Sequence, residues 1–346
     1  MHIPENYLSP VTCAVMGAAM VPVWVHAVKK VKEELPAEKI SMIGVGAALS
    51  FLGMMFNVPL IGGTTGHAVG GTLIALLFGP NAACIAVSIA LLLQAVLFGD
   101  GGVLAFGANC FNMAFVLPYL GWAVYRLIVK TASGDKSAGM GRQLLGAAVG
   151  SYIGLNAAAL CAAVEFGLQP LLFKDAAGLA LYCPYDLSIA IPAMMIPHLA
   201  VAGLIEAAFT VAVYAFVKKT SPDLIYSPET PQAAPVRKSR VPLFALVAVL
   251  TAATPLGLLA AGTAWGEWGT DEIAGVAEGG SALGYTPAGM ENGWELSAPM
   301  PDYSLEGVGE VLAYILSAVI GVALLIILFK LLSLALAGRN TKRPEV

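Results

Sequence analysis

Residues 11–25, VTCAVMGAAMVPVWV, form an apolar run without a charged side chain, and runs of this kind decide the class of fold. A bilayer core about 30 Å thick needs about 20 such residues in a helix. Comparable runs lie near residues 9–28, 40–57, 66–80, 82–98, 107–129, 142–166, 187–217, 241–263 and 309–336. Only 12% of the residues are charged, against about 25% in soluble domains. The sequence therefore predicts an all-α membrane protein, a polytopic helical bundle.

The spacing of these runs divides the chain into two parts. About seven spans form a body over residues 1–219, although the run at 66–80 is short and interrupted by glycine. A linker rich in Pro and Ser follows at 220–240, and 241–346 form a two-span hairpin. The outer loop of the hairpin, 264–308, has eight acidic residues and no basic one. Such a loop attracts divalent cations or braces the outer face of the body, and we favour bracing.

The basic residues predict the orientation of the chain in the membrane. Of the 18 Lys and Arg residues, all except Lys174 fall in connections on one side or in the C-terminal tail. Because cytoplasmic loops are enriched in Lys and Arg, we expect the N-terminus outside and the C-terminus inside.

The opening, MHIPENYLSP (1–10), has the chemistry of a metal chelator. No Lys or Arg precedes Lys29, so we expect a working N-terminus rather than a cleaved signal. The free amine of Met1, the backbone nitrogen of His2 and one nitrogen of its imidazole close a five- and a six-membered ring around one ion. Late first-row ions such as nickel and copper promote the required amide deprotonation and favour square-planar nitrogen ligation.

A fourth nitrogen is available from His67 in PLIGGTTGHAVGG (59–71). Five glycines in this stretch permit irregular backbone and close approach of another segment. Thr64 and Thr65 are expected to orient the imidazole. His26 lies about 36 Å from His2 along a helix, too far to share an ion. Spacing alone leaves open a shared metal site or two unrelated histidines.

Further polar residues lie in the predicted spans. Asn109 and Asn112 are three residues apart, so we expect both side chains on one side of a helix. Together with Gln94 they either support the backbone of the inserted N-terminus or have a purely structural packing role. His198 and Glu206 are expected to form interior hydrogen bonds rather than a ligand pair.

Four stretches together resemble the CbiM/NikM family over residues 1 to about 220: MHIPENYLSP, GGTTGHAVGG, LFGDGGVLAFGANCFNMA and IPHLAVAGLIEA. The family comprises the substrate-capturing membrane subunits of energy-coupling-factor nickel and cobalt transporters. The resemblance implies that the Met1 amine, the amide and imidazole of His2, and His67 hold the ion. The usual family opening differs at Glu5, Asn6 and Tyr7, which leaves the ligands intact.

The second half, with TPLGLLAAGTAWGEWG (254–269) and MPDYS (300–304), resembles the PDGLE/CbiN/NikN-like two-helix component, here fused to the body.

What the resemblance implies is an importer subunit in a bacterial or archaeal cytoplasmic membrane, with Ni²⁺ or Co²⁺ as the transported substrate. Its partners would be a transmembrane coupling subunit and cytoplasmic ATP-binding subunits. We expect no binding of nucleic acid. The sequence has no Walker A motif, so ATP would be hydrolysed on the partners.

Two alternatives remain open. A secondary divalent-metal transporter driven by an ion gradient would show inverted repeats and midplane carboxylates, and no repeat is evident. An intramembrane metalloenzyme would need a motif such as HExxH, which does not occur; we therefore do not expect an enzyme.

Overall fold

The computed structural model describes residues 1–130, 138–228, 240–260, 262–277 and 281–340, with the backbone alone for 336–340. Most of the predicted linker, 229–239, lies outside these ranges. The helices and strands are α1 Pro10–Glu34, α2 Ala37–Met55, β1 Val58–Pro59, β2 Thr65–Gly66, α3 Gly71–Phe78, α4 Pro80–Leu93, α5 Phe106–Asn109, α6 Leu117–Lys130, α7 Met140–Leu172, α8 Leu187–Pro197, α9 Gly203–Thr220, α10 Val241–Ala253, α11 Ala288–Glu291 and α12 Glu310–Asn340.

Three π-helical turns occur in the part of the chain that the structure describes. Gln94–Phe98 extends α4, Cys110–Val116 joins α5 to α6, and His198–Ala202 joins α8 to α9. π-turns are rare and are often found at functional sites.

Eight helical stretches in the described part of the chain are long and apolar enough to cross a membrane. The all-α polytopic fold is therefore confirmed. The run at 66–80 is not among the eight, because its helix α3 covers only eight residues, about 12 Å. Gly62, Gly63 and Gly70 have positive φ angles just before it, and this left-handed backbone keeps the preceding loop out of a helix.

The short helix α3 still carries the chain between the two ends of the bundle. Near its C-terminal end, the Leu76 carbonyl accepts a hydrogen bond from the Tyr226 amide. The Tyr226 hydroxyl in turn donates to Glu34 at the end of α1. The loop before α3 lies at the opposite end, where the Thr64 hydroxyl accepts from the Trp265 amide.

Glycines on α7 and α2 allow neighbouring helices to approach closely. A Cβ atom at Gly150 would lie 2.5 Å from the Gly121 carbonyl oxygen of α6. One at Gly44 of α2 would lie 2.9 Å from the Cβ of Phe329 on α12. Helix α12 of the hairpin also donates to both ends of α2, through Tyr314 and Ser333. The hairpin is thus packed directly on the body.

Candidate metal site

The first residues of the chain are folded into the protein. Met1, His2 and Ile3 are all at least 95% buried. The side-chain amide of Asn109 accepts from the Ile3 amide at 2.8 Å and donates to the Ile3 carbonyl at 3.0 Å. The Gly102 amide donates to the same carbonyl at 2.8 Å. These bonds satisfy the backbone of an extended segment that has no helix or sheet of its own.

Just beyond, the side chains of Glu5 and Ser9 fix the turn into α1. The Glu5 carboxylate accepts from the amides of Val103 and Leu104, and burial raises the pKa of this carboxyl. The Ser9 hydroxyl caps α1 by accepting from the Thr12 amide, as expected of serine at this position. Glu5, one of the departures from the usual opening, therefore anchors the N-terminal segment to residues 103–104.

A two-residue strand pair brings His67 to the N-terminal segment. In this pair Val58 lies opposite Gly66, and Pro59 opposite Thr65. The ring centroids of His2 and His67 are 5.0 Å apart, although 64 residues separate them in the chain. Both imidazoles are buried.

The hydrogen bonds of His67 leave one ring nitrogen suited to a metal. Its Nδ1 lies 3.3 Å from the Ala68 carbonyl oxygen, which can only accept, so Nδ1 carries the proton. The Nε2 lone pair is then available. Burial lowers the pKa of His67 well below its usual value, and the nearby His2 and N-terminus lower it further. A neutral imidazole is the form that ligates metals.

Two carboxylates contact the other predicted donors. The Met1 amine lies 2.9 Å from Oε1 of Glu267, which comes from the hairpin. Nδ1 of His2 lies 2.9 Å from Oδ1 of Asp100. Nε2 of His2 is buried without a hydrogen-bond partner. An orphaned polar atom of this kind is costly, and the bond to Asp100 is therefore the one polar contact that holds the His2 ring in the described structure.

Asp100 is itself held by residues from both parts of the chain. Its Oδ2 accepts from the hydroxyl of Tyr303, in the hairpin, and from the amide of Gln94. Burial raises the pKa of Asp100, but His2 and the hydrogen bond from Tyr303 outweigh it, so the pKa lies below the ordinary value. Asp100 therefore stays ionised beside His2.

Only some of the residues predicted to support the metal site contact it in the structure. Asn109 holds Ile3, and Gln94 holds Asp100. Thr64 accepts from Trp265 and does not bond the imidazole, whereas Thr65 lies beside His67 on the wall of one cavity. Asn112 is placed elsewhere, since its amide donates to Glu165 on α7 at 2.8 Å.

The remaining ionisable side chains agree with the interior roles predicted for them. His198 is buried and Nδ1 bonds to the Met194 carbonyl at 2.7 Å. Glu206 is fully buried and accepts from backbone amides. His26 is exposed on α1.

Asp100, Glu267 and Tyr303 are the residues that sequence reasoning missed. Two signals could have indicated them: Asp100 follows a span within a glycine-flanked FGDGG, and Glu267 stands between two tryptophans in WGEW. Tyr303 has a positive φ angle of 59°, which marks strained backbone often found at functional sites.

A cavity of about 550 Å³ opens onto the site between body and hairpin. His2, His67 and Asp100 of the body line this cavity, as do Glu267 and Tyr303 of the hairpin. In the described residues, no group of three His, Cys, Asp or Glu side chains could hold a metal ion. Any metal at this place would therefore need backbone nitrogens in addition to the two imidazoles.

A helical membrane bundle that brings an amine, two imidazoles and two carboxylates to one cavity has donor groups that transition metals use, and the comparisons with known proteins place it among transition-metal transport proteins. The chain belongs to the CbiM family, described as the cobalt uptake substrate-specific transmembrane region, which matches residues 2–224. A PDGLE domain matches residues 239–338.

Relatives and solved structures agree with this family. The chain is 49% identical to the fused nickel transport protein NikMN of Rhodobacter capsulatus over 94% of this chain and 95% of that one. It is 48% identical to a protein of Lactiplantibacillus plantarum named "Probable fused nickel transport protein LarMN", over 95% and 97% of the two chains. A crystal structure of a truncated transition metal transporter aligns with TM-score 0.59 and 52% identity over 63% of this chain and 99% of that one. These relatives are transport proteins rather than enzymes.

Proposed function

We propose that this chain captures Ni²⁺ or Co²⁺ at the outer face of a cytoplasmic membrane for an ATP-driven importer. The observation that carries the proposal is the meeting of His2 and His67, with ring centroids 5.0 Å apart, beside the inserted amine of Met1. The names of the relatives supply the substrate class, since they are nickel and cobalt transport proteins.

The proposed ligands are the Met1 amine, the His2 amide nitrogen, Nδ1 of His2 and Nε2 of His67. Only Nδ1 of His2 closes a six-membered ring with its own amide nitrogen, so it must exchange Asp100 for the ion. The amine must likewise leave Glu267. Four nitrogens in one plane suit nickel and related ions and disfavour calcium and magnesium, which prefer oxygen ligands.

The negative charges of Asp100 and Glu267 suit the binding of a metal cation. A divalent ion bound to one deprotonated amide retains a single positive charge, and burying it without a counter-charge would be costly. Asp100 and Glu267 each lie 2.9 Å from a proposed donor. They are therefore close enough to balance the bound ion, and they connect metal binding in the body to the hairpin.

Transport of the captured ion requires energy that the sequence of this chain does not provide. We propose a transmembrane coupling subunit and cytoplasmic ATP-binding subunits as partners. We further propose that the domains are the body over 1–219, the linker over 220–240 and the hairpin over 241–346, with the N-terminus outside and the C-terminus inside.

Uptake by reconstituted vesicles tests the proposed energy source. We expect vesicles containing this chain and its partner subunits to accumulate radioactive nickel only when ATP is supplied on the cytoplasmic side. The matched control replaces the catalytic glutamate of the ATP-binding subunits, which abolishes hydrolysis without removing the subunits. Accumulation by the chain alone under a proton or sodium gradient would instead identify a secondary transporter.

A pair of neighbouring asparagines tests the support of the N-terminal segment. Asn109→Ala removes both bonds to Ile3 and frees the segment that carries two donors, so we expect metal affinity to fall by about 10- to 100-fold. Calorimetric titration of the purified protein with Ni²⁺ measures the change. Asn112→Ala is the control, because that side chain bonds Glu165, and we expect its affinity to match the wild type. Equal losses in the two variants would contradict a specific role for Asn109.

A further inference from the structure

The fully buried carboxylate of Glu206, on α9, bonds to the backbone just after His67. Its Oε2 accepts from the Val69 amide at 2.7 Å, and both oxygens lie 3.0 Å from the Gly70 amide. In the described part of the chain no cation pairs with it. Burying an ionisable group in a membrane span costs free energy, and such groups are functional candidates by default. The bonds from Glu206 to two loop amides therefore indicate what its function is.

The backbone that Glu206 contacts has amide groups without hydrogen-bond partners in a helix or strand. Gly70 has φ +71° and precedes α3, whose first amides have no partner within the helix. Glu206 satisfies the amide of Gly70, the N-cap residue of α3, and a carboxylate at this position interacts favourably with the helix dipole. Ser50 of α2 holds the same stretch from the other side, donating to the Val69 carbonyl at 2.6 Å. The Val69 peptide groups are thus fixed by two different helices.

His67 lies between two such anchors. On its N-terminal side, Gly66 pairs with Val58 in the strand pair. On its C-terminal side, Glu206 and Ser50 fix Val69, two residues away. The Ala68 carbonyl, which orients the His67 ring at 3.3 Å, lies inside the fixed stretch. A movement of the peptide group between Ala68 and Val69 would therefore shift the carbonyl that orients the imidazole.

From this geometry we propose that Glu206 is a positioning residue for metal binding, which aims Nε2 of His67 at the ion chelated by the N-terminus. The inference rests on the proposed function, because it requires His67 to be a ligand. It gives a specific role to a membrane-buried carboxylate that does not itself touch the ion.

The chain provides a matched control in a second buried carboxylate. Glu165 on α7 is also in a membrane span and is buried. Its side chain accepts from Asn112 at 2.8 Å, and its Oε1 has no hydrogen-bond partner. Glu165→Gln therefore makes the same carboxyl-to-amide change in a span without loosening the loop that carries His67.

The experiment compares Glu206→Gln, Glu165→Gln and His67→Ala in full-length protein in detergent. Ni²⁺ is titrated while the ligand-field absorption of the bound ion is recorded. We expect Glu206→Gln to bind Ni²⁺ about 10- to 100-fold more weakly, with an absorption spectrum shifted towards that of His67→Ala. Added free imidazole should restore the wild-type spectrum in both variants, because it supplies the missing nitrogen. Glu165→Gln should keep the wild-type affinity and spectrum.

The outcomes separate this inference from the proposed function. A wild-type spectrum and affinity in Glu206→Gln, together with a defect in His67→Ala, would overturn the role of Glu206 alone. A lower thermal stability with an unchanged spectrum would overturn it as well, since Glu206 would then be merely structural. Wild-type behaviour of His67→Ala would overturn the proposed ligand set and this inference with it. If Glu206→Gln does not fold, Glu206→Asp, which keeps the carboxyl group on a shorter side chain, is judged by the same spectrum and the same imidazole rescue.

Discussion

A four-residue extension, Gly-Ser-Gly-Ser, ahead of Met1 should lower the affinity for Ni²⁺ by about 10⁴-fold. The extension converts the Met1 amine into an amide and removes the five-membered ring that holds the ion beside the His2 nitrogen. Tight four-ligand metal sites bind with about 10–16 kcal/mol, or about 3 kcal/mol for each donor. Since each 1.4 kcal/mol is about tenfold, losing the amine and its chelated neighbour gives the expected factor.

The length of this extension matters for the test. One added residue would give Xaa-Xaa-His, in which a further backbone nitrogen closes another ring around the ion and supplies a new chelator. Four residues place His2 too far from the new amine for this to happen. The bulk of the extension also meets the buried surroundings of Met1, so circular dichroism and thermal unfolding must confirm that the helical fold is retained.

The same four residues placed after Val346 provide the control for the N-terminal extension. That variant has equal length and composition and leaves Met1 unchanged, so we expect wild-type affinity by calorimetry. An N-terminally extended protein that is folded and binds Ni²⁺ as tightly as this control would contradict ligation by the amine.

The membrane fold could be predicted from the sequence because apolar composition directly determines partition into a bilayer. The one clear difference is the run at 66–80, where the sequence predicts a span and the structure has a helix only over Gly71–Phe78. Hydropathy gives equal weight to apolar residues in helices and in loops. It does not register that the glycines before Gly71 adopt left-handed backbone, which ends helical geometry.

The nitrogen donors could be proposed from sequence because the chelate of Met1 and His2 is a matter of covalent geometry. Their carboxylate partners could not. Asp100 and Glu267 reach the donors only after α4 and the hairpin are packed in place, and an acidic residue in a loop has no local signal for such a contact. The loop 264–308 was predicted to brace the body, and its residues 265–268 do contact Met1 and Thr64. Whether this contact serves metal binding remains a prediction.

The separation of Asn109 from Asn112 shows how a rare helix type defeats pattern reasoning. A spacing of three places two side chains on one side of an α-helix. A π-helical turn begins at Cys110, between them, and its i→i+5 hydrogen bonds add residues to each turn. Asn109 consequently faces the N-terminal segment, while Asn112 faces Glu165.

Replacing His67 by alanine should lower the affinity for Ni²⁺ by about 100-fold, the value of one donor at about 3 kcal/mol. The amine and the two His2 nitrogens remain, and water takes the fourth position. Because water is a weaker-field ligand than imidazole, the ligand-field absorption of bound nickel should move to longer wavelength. Both changes are measured in one spectroscopic titration of the purified protein.

Two other histidines make the His67→Ala experiment decisive. His26 is exposed on α1, so His26→Ala should keep the wild-type affinity and spectrum. His198 is buried and lines a small cavity together with Met1 and Thr65, which makes it the one histidine apart from His2 and His67 with access to the site. If His198→Ala shifts the nickel spectrum and His67→Ala does not, the fourth nitrogen comes from α8 rather than from the glycine-rich loop. If only His67→Ala shifts it, the irregular backbone between α2 and α3 has a chemical explanation: it allows a histidine to reach the inserted start of the chain.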